Sequence, residues 1–218
     1  MRPSSTLCRS WRAFASVSCL LVMSAVAAAD AAPAAARYKH YLTGNPADVV
    51  RPTAGLLVLQ GGGDDVDENF RRMGTRGGGG DFVVLRATGD DGYQAYIHGL
   101  CHCDSVETLI VDSRAAAFDP YVVATVRNAE ALFIAGGDQA NYVRYWKGTP
   151  LEDAIHFVAA KPAPIGGTSA GMAILGEFSY SAMTPDSLTS ATALADPYAP
   201  DVTLERDFLD LPGLRGLL

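Results

Sequence analysis

The segment PIGGTSAGMAIL, residues 164–175, joins a short apolar stretch to a longer one through two glycines and a single serine. Within it, GTSAG (residues 167–171) fits the pattern G-x-S-x-G, which places a nucleophilic serine on a tight turn between a strand and a helix. Such a turn strains the backbone of the serine, and bulky neighbours would clash there. The segment therefore predicts a strand before Ser169 and a helix after it. The alternative is a glycine-rich turn in which Ser169 caps a helix.

Apolar strand patterns alternate with helical patterns along the chain before this segment. Strands are predicted within GLLVLQ (55–60), DFVVLRA (81–87), SVETLIVDS (105–113) and ALFIAGGD (131–138). Helices are predicted over DENFRRMGTRG, over DPYVVATVRNA with its Asp cap and first-turn Pro, and within QANYVRYWKGTPLEDAIHFVAAK. Continuous apolar strands that alternate with helices indicate an α/β fold, in which helices cover both faces of a parallel sheet.

Glycines follow three of these strands, at Gly61, Gly136 and Gly166. In open parallel sheets, ligands bind beyond the carboxyl ends of the strands, so these glycines are expected to line one crevice. The first cluster, QGGGDD, lacks the spacing of a dinucleotide-binding loop, and its two carboxylates would repel a pyrophosphate. No nucleotide or other cofactor is expected.

Two motifs together resemble a known family. LFIAGGDQANYV (132–143) precedes PIGGTSAGMAIL by about one helical segment, and this pair is similar to the cyanophycinases and their relatives, the alpha-aspartyl dipeptidases. The stretches VLQGGGDDVDENFRRM, GGGGDFVVLRATGDDGYQAYI and VETLIVDSR resemble the secreted bacterial branch of that family. The resemblance implies a flavodoxin-like sheet related to class I glutamine amidotransferase domains. It also implies a serine peptidase that cleaves aspartyl or isoaspartyl bonds, including those of cyanophycin to beta-Asp-Arg dipeptides.

The resemblance also implies roles for individual residues. Ser169 corresponds to the nucleophile, and the backbone N–H groups of Gly137 and Ala170 correspond to the oxyanion hole. Asp138 and Gln139 correspond to residues on the substrate side of the serine. A peptide or a cyanophycin-like polymer is the implied partner, and a homodimer is a further possibility.

The base that would take the serine proton is not identified. In the family, a histidine after the serine has this role, whereas His40, His98, His102 and His156 all precede Ser169. His156 falls in a predicted helix and is not expected to be the base. We therefore expect an incomplete, C-terminally truncated form of the domain. A catalytically inactive binding protein of the same fold and an alpha/beta-hydrolase esterase are the alternatives.

The acidic partner of such a base is not identified either. In the family it lies downstream of the serine, in the region of MTPDSLTSATALADPY in this chain. Asp186 is the candidate by spacing, but no assignment is made.

The first 29 residues have the layout of a secretory signal peptide. Arg2, Arg9 and Arg12 precede an uncharged and mostly apolar run over residues 13–26, and AAAD offers a cleavage site with small residues. An uncleaved membrane anchor is the alternative, but the run is short for a spanning helix. The predicted organisation is a signal peptide over 1–29, a leader over 30–54 and the α/β domain over 55–218. We expect a secreted or periplasmic protein with no membrane attachment after cleavage.

Charge and cysteine spacing exclude several classes of partner. The chain has 17 basic and 24 acidic residues, and three of the basic ones lie in the predicted signal peptide. The remainder therefore carries 14 basic residues and a net charge of −10, which disfavours nucleic acid and would attract a cationic substrate. Cys101 and Cys103, in HGLCHC, are two positions apart, which is unfavourable for a mutual disulfide and unlike structural zinc spacing. We expect two free thiols in a turn and no metal.

Overall fold

A computed structural model describes residues 37–184 and 188–214. The predicted signal peptide and Asp186 lie outside the described residues. The strands are β1 (Lys39–Gly44), β2 (Leu56–Gln60), β3 (Asp81–Arg86), β4 (Ser105–Ile110), β5 (Ala131–Ile134), β6 (Pro164–Thr168), β7 (Phe178–Tyr180) and β8 (Leu204–Arg206). The helices are α1 (Asp67–Arg76), α2 (Gln94–Cys101), α3 (Arg114–Ala117), α4 (Pro120–Asn128), α5 (Gln139–Trp146), α6 (Pro150–Ala160), α7 (Ala170–Ala173) and α8 (Ser190–Ala195).

The main sheet has six strands in the order β1-β4-β3-β5-β6-β2. All neighbours pair in parallel except β1, which pairs antiparallel with β4. The strands β4-β3-β5-β6 follow the order 2-1-3-4 that begins a flavodoxin-like sheet. The strand β2 lies beside β6, where the flavodoxin-like order has its fifth strand. The structure confirms the predicted α/β fold with a mostly parallel sheet.

Helices cover both faces of this sheet, as the sequence predicts. Along β3, Phe82 and Val84 face a buried cluster with α1 and α2, which includes Phe70. The alternate residues Val83 and Leu85 face a larger cluster formed with α4, α5, α6 and α7. A strand buried on both faces must be apolar at every position, which explains the continuous apolar run in its sequence.

The sheet begins earlier in the chain than the predicted domain start at residue 55. Residues 39–44, inside the predicted leader, form the edge strand β1, and its residues are exposed or only half-buried. An edge strand that packs on one side needs few apolar residues, so its sequence resembles that of a linker. The part of the leader that is described therefore contributes to the fold.

The expectation of two free thiols is wrong. Cys101 and Cys103 form a disulfide, with Cα atoms 5.2 Å apart. His102 between them adopts a left-handed backbone conformation with φ 51° at the end of α2, which turns the chain sharply enough to bring the two cysteines together. A left-handed residue other than glycine is uncommon, so this turn was not predictable from the sequence.

Two further properties concern the residues that the structure describes. None of their helices has both the length and the apolar composition needed to cross a bilayer. Nor do their His, Cys, Asp and Glu side chains form a group of three or more that could hold a metal ion.

Candidate active site

Ser169 lies at the junction between β6 and α7, as the G-x-S-x-G pattern predicts. Its backbone has φ 51° and ψ −121°, outside the regions that a residue with a side chain ordinarily adopts. Ser169 is exposed, whereas every residue of β6 and the following Ala170 are buried. The serine does not cap α7, because its side chain makes no capping hydrogen bond. The turn therefore presents the hydroxyl at the surface in a strained conformation, and the helix-capping interpretation is wrong.

Close backbone packing explains the two glycines of the pattern. A Cβ on Gly167 would lie 2.6 Å from the carbonyl carbon and oxygen of Gly171. A Cβ on Gly171 would lie 2.2 Å from the carbonyl oxygen of Ile134 and 2.5 Å from that of Ala135. Since real side chains do not approach so closely, α7 can pack against β5 only with glycine at these positions.

Hydrogen bonds from β2 and the loop after it hold the turn in place. The Ser169 N–H donates to the Gln60 carbonyl oxygen at 3.1 Å, and the Thr168 hydroxyl donates to the Gly61 carbonyl oxygen at 2.9 Å. These bonds continue the pairing of β2 with β6 by one residue beyond the last strand pair, Gln60 with Thr168. The backbone of Ser169 is thus fixed from the neighbouring strand.

Glycines from two other strand ends line the space around the serine. A Cβ on Gly136 would lie 3.3 Å from the Ser169 Cβ, and one on Gly62 would lie 3.7 Å from its Oγ. The carboxyl ends of β2, β5 and β6 therefore meet at Ser169, although Gly166, one of the three predicted lining glycines, is buried within β6. Side chains at Gly62 and Gly136 would lie against the Ser169 side chain.

Two backbone N–H groups near the serine lack partners among the described residues. Gly137 is exposed just after β5, and its N–H donates no hydrogen bond to any of them. Ala170 is the first residue of α7, where an N–H has no intrahelical acceptor. Neither N–H has an acceptor among the described residues, and their role as an oxyanion hole stays a prediction.

Asp138 and Gln139 occupy the start of α5. The Asp138 side chain accepts a hydrogen bond from the Ala140 N–H at 2.9 Å, so this residue is the N-cap of the helix. It remains exposed, and Gln139 is half-exposed as the first helical residue. Their position beside Gly137 is compatible with substrate contact, but the capping bond gives Asp138 a structural role as well.

Tyr142 is a component of this region that the sequence did not single out. It lies one turn into α5, is 1% exposed, and its hydroxyl donates to the carbonyl oxygens of Ala135 at 2.7 Å and Gly136 at 3.1 Å. Burial raises the pKa of this hydroxyl above its usual value, so it remains a donor across the physiological range. Only the helical spacing from Asp138 could have indicated that it points back at the strand end.

A second group beside the crevice was also missed. The Gln60 side chain hydrogen bonds to the Asp65 carboxylate and accepts from the Asn69 amide at 2.8 Å. Burial and the neighbouring Asp65 raise the pKa of Tyr93 to about 12. This network fixes the acidic loop after β2, whose sequence showed only glycines and carboxylates.

The histidines make contacts away from the serine. His40 Nδ1 is 3.0 Å from a carboxylate oxygen of Glu107, and His156 Nε2 is 2.8 Å from the Leu209 carbonyl oxygen. Within the described residues, no hydrogen bond joins a histidine to Ser169. His156 lies in α6, as predicted, and its bond to Leu209 gives it a packing role.

One comparison with known proteins agrees with the motif pair. Residues 90–196 match the sequence profile of peptidase family S51. No curated protein sequence matches the chain. A solved structure, the crystal structure of a peptidase from an acI-B1 Actinobacterium, is similar at 20% sequence identity with a TM-score of 0.48. The similarity covers 59% of this chain and 59% of that chain.

Proposed function

Because residues 90–196 match the profile of peptidase family S51, we propose that the chain is a serine-type hydrolase of peptide bonds with Ser169 as its nucleophile. The matched residues 90–196 include both GGDQ and GTSAG, the two segments that meet at the crevice. The match to a peptidase family also disfavours the alpha/beta-hydrolase esterase.

The observation that carries this proposal is the backbone of Ser169. Its φ of 51° costs conformational free energy that a surface serine in an ordinary turn would not require. The strain is held by close packing of Gly167 and Gly171 and by the hydrogen bond to Gln60. A strained, exposed serine among buried neighbours is the arrangement expected of an activated nucleophile.

In the proposed reaction, the Ser169 Oγ attacks the carbonyl carbon of the scissile peptide. The developing oxyanion accepts hydrogen bonds from the N–H groups of Gly137 and Ala170, which are unpartnered among the described residues. The C–N bond then breaks, the amine leaves with a proton, and water hydrolyses the serine ester. The serine proton requires a base, which the contacts of the described histidines do not identify.

The proposed substrates are peptides with aspartyl or isoaspartyl bonds, including cyanophycin-like polymers. This proposal is supported by the resemblance of the GGDQ and GTSAG motifs, taken together, to those of the cyanophycinases. A net charge of −10 outside the predicted signal peptide suits a substrate rich in arginine. We further propose action outside the cytoplasm, because residues 1–29 are typical of a signal peptide. Homodimer formation remains a prediction.

A fluorophosphonate probe tests the nucleophile directly. We expect one probe per folded chain, mapped by mass spectrometry to the peptide that contains Ser169, and no adduct in Ser169→Ala. Adduct formation releases fluoride and forms a bond between Oγ and phosphorus, so it reports the hydroxyl without any substrate. Equal labelling of Ser169→Ala would refute the assignment. If Ser169 is labelled in the wild-type chain, a peptide library with aspartyl and isoaspartyl bonds identifies the substrate class.

A catalytically inactive binding protein of the same fold is the second candidate. It is favoured by the contacts of the histidines, none of which reaches Ser169 among the described residues. Under this alternative, the folded chain does not react with the probe but binds an aspartyl peptide, as measured by calorimetry. Labelling at Ser169 would exclude it.

A further inference from the structure

The peptide unit between Gly136 and Gly137 is held by the Tyr142 hydroxyl. The single proton of this hydroxyl is shared between the Gly136 carbonyl oxygen at 3.1 Å and the Ala135 carbonyl oxygen at 2.7 Å. A Cβ on Gly137 would lie only 3.1 Å from the same hydroxyl oxygen, so the tyrosine is packed directly against the turn. The Tyr142 side chain is buried at 1% exposed, and Gly136 is half-buried.

The geometry of a peptide bond links this contact to the candidate oxyanion hole. The carbonyl of Gly136 and the N–H of Gly137 belong to one planar unit, and the described residues contain no cis peptide bond. In a trans peptide, the C=O and the N–H point in opposite directions. A hydroxyl that fixes the direction of the Gly136 C=O therefore also fixes the direction of the Gly137 N–H.

Without that hydroxyl, the turn would have little to orient it. Gly136 and Gly137 have no side chains, and glycine has more backbone freedom than any other residue. The N–H of Gly137 makes no hydrogen bond with the described residues that could hold the peptide from its other side. Asp138 anchors the start of α5 through its capping bond to the Ala140 N–H, but that bond lies after the Gly136–Gly137 peptide unit.

We propose that Tyr142 is a positioning residue that orients the Gly137 N–H toward the transition-state oxygen. The inference rests on the proposed function, in which the Gly137 N–H donates a hydrogen bond to the oxyanion. Preorganised donors stabilise a transition state because they need no reorientation as charge develops. The turn after β5 and the first turn of α5 are thus joined by the hydrogen bonds of the Tyr142 hydroxyl.

Tyr142→Phe tests the proposal with a small change. The ring stacks on Trp146 with centroids 4.4 Å apart, and phenylalanine retains that contact while it removes only the hydroxyl. Tyr145→Phe is the matched control, because Tyr145 lies on the same helix and its hydroxyl bonds none of the described residues. We expect both variants to fold, with Tm lowered by about 3–10 °C in Tyr142→Phe, which leaves two carbonyls without their donor.

The kinetic readout is fluorophosphonate labelling of Ser169 at several probe concentrations, which separates the maximal labelling rate from the probe affinity. Loss of one oxyanion donor costs about 10²–10³-fold, so a misoriented donor should lower the maximal rate about 10- to 100-fold. Probe affinity should be unchanged, and Tyr145→Phe should label at the wild-type rate. If Tyr142→Phe also labels at the wild-type rate, the inference is wrong while the proposed function stands.

A second readout does not depend on reactivity. The residual dipolar coupling of the Gly137 N–H in ¹⁵N-glycine-labelled protein reports the direction of that bond. We expect it to change in Tyr142→Phe and to be retained in Tyr145→Phe. An unchanged coupling in Tyr142→Phe would overturn the inference. If the wild-type protein fails to label, the proposed function fails, and the catalytic part of this inference fails with it.

Discussion

Gly171→Ala should destabilise the protein, although alanine is a better helix former than glycine. The added Cβ would lie 2.2 Å from the Ile134 carbonyl oxygen, 2.5 Å from the Ala135 carbonyl oxygen and 2.7 Å from the Ile134 carbonyl carbon. All three atoms belong to the backbone of β5 or the residue after it, in the middle of the sheet. They cannot move aside as the end of a flexible side chain would, so α7 itself must shift.

The expected loss follows from two opposing effects. Overpacking a buried site costs about 1–3 kcal/mol, and contact with two backbone oxygens favours the upper end of that range. Replacement of glycine by alanine within a helix returns at most about 1 kcal/mol. The free energy of unfolding should therefore fall by about 2 kcal/mol, which corresponds to a decrease in Tm of about 4–8 °C for a domain of this size.

Gly99→Ala is the matched control for this substitution. Gly99 is an exposed residue of α2, and a Cβ there would meet nothing within 4 Å. The same chemical change should raise stability by about 0.5–1 kcal/mol at this position. Urea unfolding followed by circular dichroism measures both variants. If Gly171→Ala is as stable as Gly99→Ala, the close packing of α7 against β5 and the explanation of the glycine pattern are both refuted.

Two further predictions concern alkaline pH and the disulfide. Because the pKa of Tyr93 is raised to about 12, its neutral form is favoured in the folded state, and this contribution is complete below pH 10 and lost as pH rises toward 12. Between pH 9 and 11.5, Tyr93→Phe should therefore lose less stability than wild type in urea unfolding, and an equal loss would contradict the shift. The disulfide of Cys101 and Cys103 closes a loop of only three residues, so reduction should lower the free energy of unfolding by no more than about 2 kcal/mol. Alkylation of both cysteines before any reductant is added would show that the bond is absent.

Much of the fold follows from local sequence patterns. The helix α4 begins where Asp119 and Pro120 predict it, and the Asp119 side chain accepts from the Tyr121 N–H at 3.0 Å. The buried strands were predicted because a strand covered on both faces must be continuously apolar. The edge strand β1 was missed for the opposite reason, since a half-exposed strand has no such requirement.

The candidate site likewise has a part that the sequence predicts and a part that it does not. The sequence by itself determined the turn at Ser169, because a strained serine between close-packed backbones requires glycine two residues before and two residues after it. Only the tertiary structure decided what surrounds that serine. Gln60 reaches the site because β2 pairs with β6, and Tyr142 reaches it because of the face that α5 turns to the end of β5. Pairing between distant segments leaves no local pattern in the sequence.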